Sequence, residues 1–175
     1  CITNLLRINI RYNNFDMLEI GYGINLRPLI LFAQKTYGDD PCTQFQPKMI
    51  DKNDYAQMDP DLIAKMHKAI AICQFKIEGQ RALAHPEYQL DDRRLLHRID
   101  YKKGTIELYG KEYELLDTNL PTVDPDDPYK LTDEETTMLD AIEASFHSSS
   151  LLQKHVTFMF SHGALYKVIN NNLLF

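Results

Sequence analysis

The chain has 175 residues, of which 44% are apolar and 25% are charged. This balance is typical of a globular domain and is too apolar for a disordered chain. Lys and Arg number 19 against 25 Asp and Glu, a net charge of −6, which argues against nucleic-acid binding through a basic face. The longest apolar stretches run to about five residues, far short of the ~20 that span a bilayer, so we expect no membrane partner.

The cysteines and the chain ends indicate the setting of the protein. Cys1, Cys42 and Cys73 are widely spaced and odd in number, and they match neither a zinc site nor a disulfide framework. A reducing, cytoplasmic location is therefore expected. The chain starts with Cys rather than Met and ends in apolar residues 173–175, where a solvated tail is usual. We expect residues 1–175 to be either a single domain or an excised segment of a larger chain.

The N-terminal part is predicted to be helical. Apolar residues at spacings of three and four predict a short helix over 1–13 and a further helical turn over 16–22. Asn25 is expected to cap a third helix, with Pro28 in its first turn.

A loop separates these elements from the longest predicted helix. Residues 39–58 combine prolines, charges and aromatics without period, which predicts a loop. Asp59 and Pro60 then form a helix start, because Asp accepts from free amides and Pro suits the first position. One apolar face continues to Ile77. A shorter helix is expected over 90–99.

The segment 105–115 changes to the alternating pattern of a β-hairpin. Glycine as the first residue of a Gly110-Lys111 loop favours a type II′ turn. The expected cross-strand pairs are Leu108 with Tyr113 and Ile106 with Leu115 on the apolar side, and Glu107 with Glu114 on the solvent side.

The last third begins with a proline-rich loop over 117–131. Thr132 and Glu135 have the spacing of a capping box, which predicts the start of a helix. Serines 148–150 are expected to break this helix before another helical stretch through Phe160.

Residues 164–175 predict two strands around an asparagine-rich turn. Together these elements predict a mainly α fold with a small β component (α+β). Its β structure would comprise one hairpin near 105–116 and a short strand pair near 164–175.

No set of residues amounts to a complete catalytic site. The six histidines lack metal-ligand spacing, and the acidic stretch 124–127 lacks the glycine and distal glutamate of a calcium loop. Cys73 lies on the apolar stripe of its helix and is most simply a core residue.

Arg27 is the leading candidate binding residue. Beside a helix N-terminus, its guanidinium and the free backbone amides could together meet a phosphate. A surface salt bridge is the competing interpretation. Arg11 is the second candidate for binding substrate.

Several stretches, in collinear order along nearly the whole chain, resemble the class III fructose-1,6-bisphosphatases of bacteria. They are Arg11-Tyr12-Asn13-Asn14, Tyr22-Gly23-Ile24-Asn25-Leu26-Arg27-Pro28-Leu29, His67-Lys68-Ala69-Ile70-Ala71 with Gln74-Phe75-Lys76, Arg94-Leu95-Leu96 with Ile99-Asp100-Tyr101, the Gly110-Lys111 hairpin, Gly163-Ala164-Leu165-Tyr166, and Asn172-Leu173-Leu174.

The resemblance implies a calcineurin-type metallophosphatase in which Asp, His and Asn ligands hold two metals, typically Mn²⁺. Such a pair activates water and clamps the phosphoryl oxygens. The implied reaction removes the 1-phosphate from fructose 1,6-bisphosphate in gluconeogenesis. The resemblance leaves a homo-oligomer open.

The metal motifs that this family uses fall outside the chain. A Gly-Asn-His-Asp segment would lie upstream of Cys1, and a His-Gly pair would follow the strand that ends at Phe175. The His-Gly pair at His162 matches a position without a family ligand. We therefore expect the helical insertion between the halves of a metal site, with no metal or catalytic residue and no activity alone. The alternative is a stand-alone helical interaction module without catalysis.

Overall fold

The computed structural model describes residues 2–48 and 58–174, a mainly helical α+β arrangement that confirms the predicted fold class. The helices of this part are α1 (Ile2–Arg11), α2 (Arg27–Thr36), α3 (Pro60–Ala84), α4 (Asp133–Ser148) and α5 (Ser150–His162). The strands are β1 (Ile99–Asp100), β2 (Thr105–Leu108), β3 (Lys111–Glu114), β4 (Lys167–Ile169) and β5 (Asn172–Leu174), paired as antiparallel sheets β1-β2-β3 and β4-β5.

Helix α3 is the centre of the fold. As predicted, it starts after Asp59, whose side chain accepts a 3.1 Å hydrogen bond from the Asp61 amide, and Pro60 occupies its first turn. It continues past Ile77 to Ala84. Helices α1 and α2 pack on α3, and α4 packs on α2. None of the helices within the described ranges is both long and apolar enough to cross a bilayer.

The hydrophobic core lies between these four helices. Helices α1 and α2 both pack on α3, so the middle of α3 is buried on several sides rather than along a single stripe. The largest fully buried apolar side chains of this core include Leu6, Ile10, Leu18, Ile24, Leu26, Leu29, Ile63, Met66 and Ile70.

The start of α2 differs from the prediction in one respect. Leu26, not Asn25, is the capping residue, and the Asn25 side chain accepts a 3.0 Å hydrogen bond from the Arg27 amide. The expected turn over 16–22 is present as a π-helical turn at Met17–Gly21. The predicted loop over 39–58 holds a short 3₁₀ turn at Thr43–Phe45, and its residues 49–57 lie outside the described residues.

The prediction of a helix over 90–99 is wrong. The chain instead forms 3₁₀ turns at Pro86–Tyr88, Asp91–Arg93 and Leu96–Arg98, and Ile99 begins β1. The charged residues 91–94 interrupt any continuous apolar face, so an α-helix here would gain little from packing. Ile99 instead pairs with Ile106 in an antiparallel ladder, which satisfies the backbone hydrogen bonds of this segment.

The hairpin is present, but its predicted turn and register are wrong. The two loop residues are Tyr109 and Gly110, with φ of 52° and 75°, and positive φ at both positions is characteristic of a type I′ turn. Ile106 therefore pairs with Tyr113, and Leu108 with Lys111. Because the pairing differs from the prediction by two residues, each side chain keeps its predicted face.

Packing of the hairpin is also weaker than expected. Ile106, Leu108 and Leu115 are half-buried, but Tyr113 is 48% exposed. The two facing glutamates are Glu107 and Glu112, rather than Glu107 and Glu114. The apolar face of β3 thus contributes little to the core.

The helix and strand predictions for the last third are confirmed. Residues 117–131 form neither a helix nor a named strand. The capping box of α4 is complete, since the Glu135 amide donates to Thr132 Oγ1 at 3.1 Å and the Thr132 amide to Glu135 Oε2 at 2.8 Å. Ser149 separates α4 from α5. Strands β4 and β5 meet at a turn in which Asn170 and Asn171 both have positive φ.

Candidate functional site

Helices α2 and α4 lie antiparallel and form an open groove of about 570 Å³. Lys35, near the end of α2, pairs with Glu134 at the start of α4 across 2.7 Å. At the other end, the Asn25 amide donates to Ser145 Oγ at 3.3 Å. The groove is lined by Asn25, Arg27, Pro28, Leu31, Phe32, Lys35, Asp133, Glu134, Thr137, Met138 and Ala141.

Among the described residues that line this groove, Arg27 is the one cation without an ion-pair partner, and it lies at one end. It is the first residue of α2, it is exposed, and its side chain has no ion-pair partner within residues 2–48 and 58–174. The described chain therefore supplies no salt bridge for it. The acidic end, with Asp133, lies opposite, because the two helices are antiparallel.

The backbone at the start of α2 offers less to an anion than the sequence suggests. The Arg27 amide is already bonded to Asn25 Oδ1, and Pro28 has no N–H. The guanidinium, rather than a row of free amides, is therefore the group here that could bind an anion.

Arg11 does not join Arg27 in the groove. It is the last residue of α1, half-buried, and its guanidinium lies 5.9 Å from the centre of the Tyr12 ring. Its carbonyl accepts a hydrogen bond from the Lys48 amide at 2.8 Å. Arg11 is absent from the residues that line the groove. The two candidate arginines thus occupy different places in the fold.

His67 lies between α3 and the turn at Thr43–Phe45. Its Nδ1 is 2.9 Å from the Phe45 carbonyl, so the proton on this nitrogen is donated to that oxygen. Burial lowers the pKa of His67, and the nearby Arg11 and Arg7 cations lower it further, despite the hydrogen bond to Phe45. The imidazole is therefore held as the neutral form, which suits a structural donor.

Two fully buried lysines on α3 are polar features that the sequence analysis missed. Lys68 Nζ lies 2.6 Å from Asp40 Oδ2 and 2.7 Å from Asp117 Oδ2, which ties two loops to the central helix. Burial alone would raise the pKa of Asp40. Hydrogen bonds from Lys68, the Cys42 amide and Asn119 outweigh that effect and hold this pKa at about 2.

Lys76 forms a second buried pair, with Glu135. Lys76 Nζ is 2.7 Å from Glu135 Oε2 and 2.5 Å from the Thr122 carbonyl. The same Glu135 oxygen accepts from the Thr132 amide in the capping box. This pair therefore joins α3 to the start of α4. In the sequence, the only signal for these two lysines is their position within a predicted helix that is rich in apolar residues.

The remaining sequence candidates do not converge on one site. His162 stacks on Phe158 at the end of α5, with ring centres 4.4 Å apart. Cys42 and Cys73 are buried free thiols, and burial raises the pKa of each. Asp124 Oδ1 accepts a hydrogen bond from the Asp126 amide within a local turn. Over residues 2–48 and 58–174, no group of three or more His, Cys, Asp or Glu side chains is placed to hold a metal ion.

The described residues thus form an open groove between two helices, bordered by the unpaired guanidinium of Arg27. Comparison with known proteins then identifies the family of the chain. The family model described as "Firmicute fructose-1,6-bisphosphatase" matches residues 1–175. The chain belongs to the Firmicute fructose-1,6-bisphosphatase family.

Curated relatives agree with this assignment. The chain is 53% identical over all its 175 residues to proteins named fructose-1,6-bisphosphatase class 3 from Listeria innocua and Clostridium tetani, and 49% identical to one from Clostridium acetobutylicum. It spans only 27%, 26% and 26% of the length of these proteins. No solved structure matches the chain at a significant level.

Proposed function

We propose that this chain is one segment of a cytoplasmic fructose-1,6-bisphosphatase that removes the 1-phosphate from fructose 1,6-bisphosphate in gluconeogenesis. The observation that carries the proposal is the match of the family over the whole chain. Nothing in the comparisons favours a stand-alone interaction module. The longer protein that contains this chain, purified with Mn²⁺, should release inorganic phosphate from fructose 1,6-bisphosphate. Absence of release from the folded protein would overturn the proposal.

In this proposal the two Mn²⁺ ions are held by residues outside the chain. A two-metal site needs several converging His, Asp and Asn ligands, and the described residues do not provide such a set. The ions, when bound in the longer protein, would activate water and neutralise charge on the reacting phosphate. The part left to this chain is to position the substrate.

We therefore expect the 175-residue chain alone to bind Mn²⁺ no better than a generic acidic protein and to leave fructose 1,6-bisphosphate intact. Isothermal titration calorimetry with MnCl₂ measures the first result and a phosphate-release assay the second. A chelator-treated sample serves as the control. A stoichiometric Mn²⁺ site of micromolar affinity on this chain would contradict the expectation.

Arg27 is proposed to bind the phosphate that is not hydrolysed. A bisphosphate presents a second dianion away from the metals, and an unpaired guanidinium can form a charge-assisted, bidentate contact with it. The substrate would meet Arg27 at the end of the groove, because the lining residues Leu31, Phe32 and Met138 are apolar and do not suit a sugar. Arg11, in a separate place, remains a second proposal.

Substitution of Arg27 by Gln in the longer protein should raise the KM for fructose 1,6-bisphosphate roughly ten- to hundredfold, the worth of one charge-assisted hydrogen bond. The KM for p-nitrophenyl phosphate should stay unchanged, because that substrate has no second phosphate. Arg93→Gln is the matched control, since Arg93 is exposed and lies outside the groove. Circular dichroism establishes that each variant is folded. An equal loss toward both substrates would remove Arg27 from this role.

A further inference from the structure

The C-terminal segment 150–174 exposes an unusual amount of apolar surface. Every residue from Gln153 to Leu174 is exposed, including Phe160 at 87% and Leu165 at 95%. Of the 22 large apolar side chains exposed among the described residues, 11 lie in this segment. Exposed apolar patches of this kind mark interaction surfaces.

Within residues 2–48 and 58–174, the contacts that attach the segment to the helical core lie at its start. Ser149 Oγ donates to the Tyr22 carbonyl at 2.6 Å, and Tyr22 Oη is 3.1 Å from His155 Nδ1. Leu152 packs against the core as a half-buried side chain. All residues of α5 are described, and none of them is buried.

Helix α5 carries apolar residues over about half of its circumference. At 100° per residue, Val156 and Phe158 point about 160° apart, and both are exposed. Gln153, Thr157 and Ser161 occupy the polar side of the helix. A broad apolar side of this helix therefore requires cover.

The β4–β5 hairpin carries apolar side chains on both faces. Val168 pairs with Leu173, which places both on one face. Lys167 pairs with Leu174, and Ile169 with Asn172, which places Ile169 and Leu174 on the opposite face. Strands that are apolar on both faces belong to sheets covered on both sides, and an isolated two-stranded hairpin is only marginally stable.

We infer that residues 150–174 are an internal docking segment, enclosed by the remainder of the same polypeptide, with β4 and β5 forming part of a larger sheet covered on both faces. This inference rests on the proposed function in one respect, that the chain is part of a longer phosphatase. Relatives are nearly four times as long as this chain, so enough polypeptide is present to enclose the segment. A second copy is a poorer occupant, because one self-complementary patch covers one face and not two.

Hydrogen exchange tests the inference by comparing the 175-residue chain with the longer protein that contains it. In the longer protein, amides of residues 167–174 should exchange more than about tenfold more slowly than in the short chain, because burial adds to the free energy of opening. Equal exchange in the two proteins would overturn the inference. So would protection that appears only with dimer formation in sedimentation, since a second copy would then be the occupant.

Substitutions on opposite faces provide the second measurement. Val168→Ser and Ile169→Ser should each lower the melting temperature of the longer protein by several degrees and leave that of the short chain unchanged. Leu116→Ser, at an 81% exposed position outside the segment, is the matched control and should be neutral in both proteins. If only one of the two face variants is destabilising, the hairpin is covered on one side and the inference is wrong.

The two proposals fail separately. A longer protein that protects residues 167–174 but does not hydrolyse fructose 1,6-bisphosphate would refute the proposed activity and support the docking inference. A longer protein that hydrolyses this substrate but leaves the segment unprotected would refute the docking inference alone.

Discussion

Replacing Lys76 with Met should destabilise the folded chain by about 3–5 kcal/mol, the range for removing one partner of a buried ion pair. Lys76 and Glu135 are almost completely buried, so the substitution leaves a carboxylate without its cation in the interior. The Thr122 carbonyl loses its 2.5 Å donor at the same time. Equilibrium unfolding in urea, followed by circular dichroism, measures the change in the free energy of unfolding.

A double variant separates the charge effect from lost packing. Glu135→Gln removes the buried charge while its amide oxygen can still accept from the Thr132 amide. In the Lys76→Met background it should therefore recover about 2–3 kcal/mol as coupling energy. Lys35→Met, which breaks the exposed pair with Glu134, should cost less than about 1 kcal/mol. Equal costs for Lys76→Met and Lys35→Met would show that burial of the pair has no energetic consequence.

Replacing Gly79 with Ala should destabilise the chain by about 2 kcal/mol, despite the higher helix propensity of alanine. A Cβ at this position in α3 would overlap the Cδ1 and Cε1 ring carbons of Tyr129. Overpacking costs about 1–3 kcal/mol, and the steric cost should lie at the upper end of this range because Tyr129 is held at both ends. Its carbonyl accepts from Gln80 Nε2 at 2.8 Å, and its hydroxyl lies 2.6 Å from His97 Nδ1.

The same substitution tests this cause in a second background. In a Tyr129→Ala variant the obstacle is absent, so Gly79→Ala should become stabilising by up to about 1 kcal/mol through helix propensity. Gly21→Ala is the control, since a Cβ there meets its nearest neighbour, the Asp16 carbonyl, at an ordinary 3.7 Å. The steric explanation is wrong if Gly79→Ala lowers stability equally in both backgrounds.

The capping residues of α3 and α4 are predictable from the sequence, because each cap involves groups only a few residues apart. Asp59 caps α3 through the amide of Asp61, and Thr132 and Glu135 form their capping box within one turn. The faces of the hairpin were also predictable from the sequence, because side chains alternate with a period of two. Its register was not, since that depends on φ at Tyr109 and Gly110, and a tyrosine with positive φ is uncommon.

For the candidate site, the sequence placed Arg27 at a helix start but could not show the groove that it borders. The two walls of that groove are contributed by α2 and α4, about a hundred residues apart in the chain. The family assignment, in contrast, follows from collinear motifs and needs no coordinates.

The sequence by itself thus determined the starts of α3 and α4, the mainly helical class and the family, because capping, periodicity and motif order are properties of neighbouring residues. Only the tertiary structure decided that Lys68 and Lys76 are buried, because their partners Asp40, Asp117 and Glu135 lie 28, 49 and 59 residues away along the chain. A lysine is compatible with either water or a low-dielectric interior until a carboxylate is brought within hydrogen-bond distance, and that juxtaposition depends on how the helices pack.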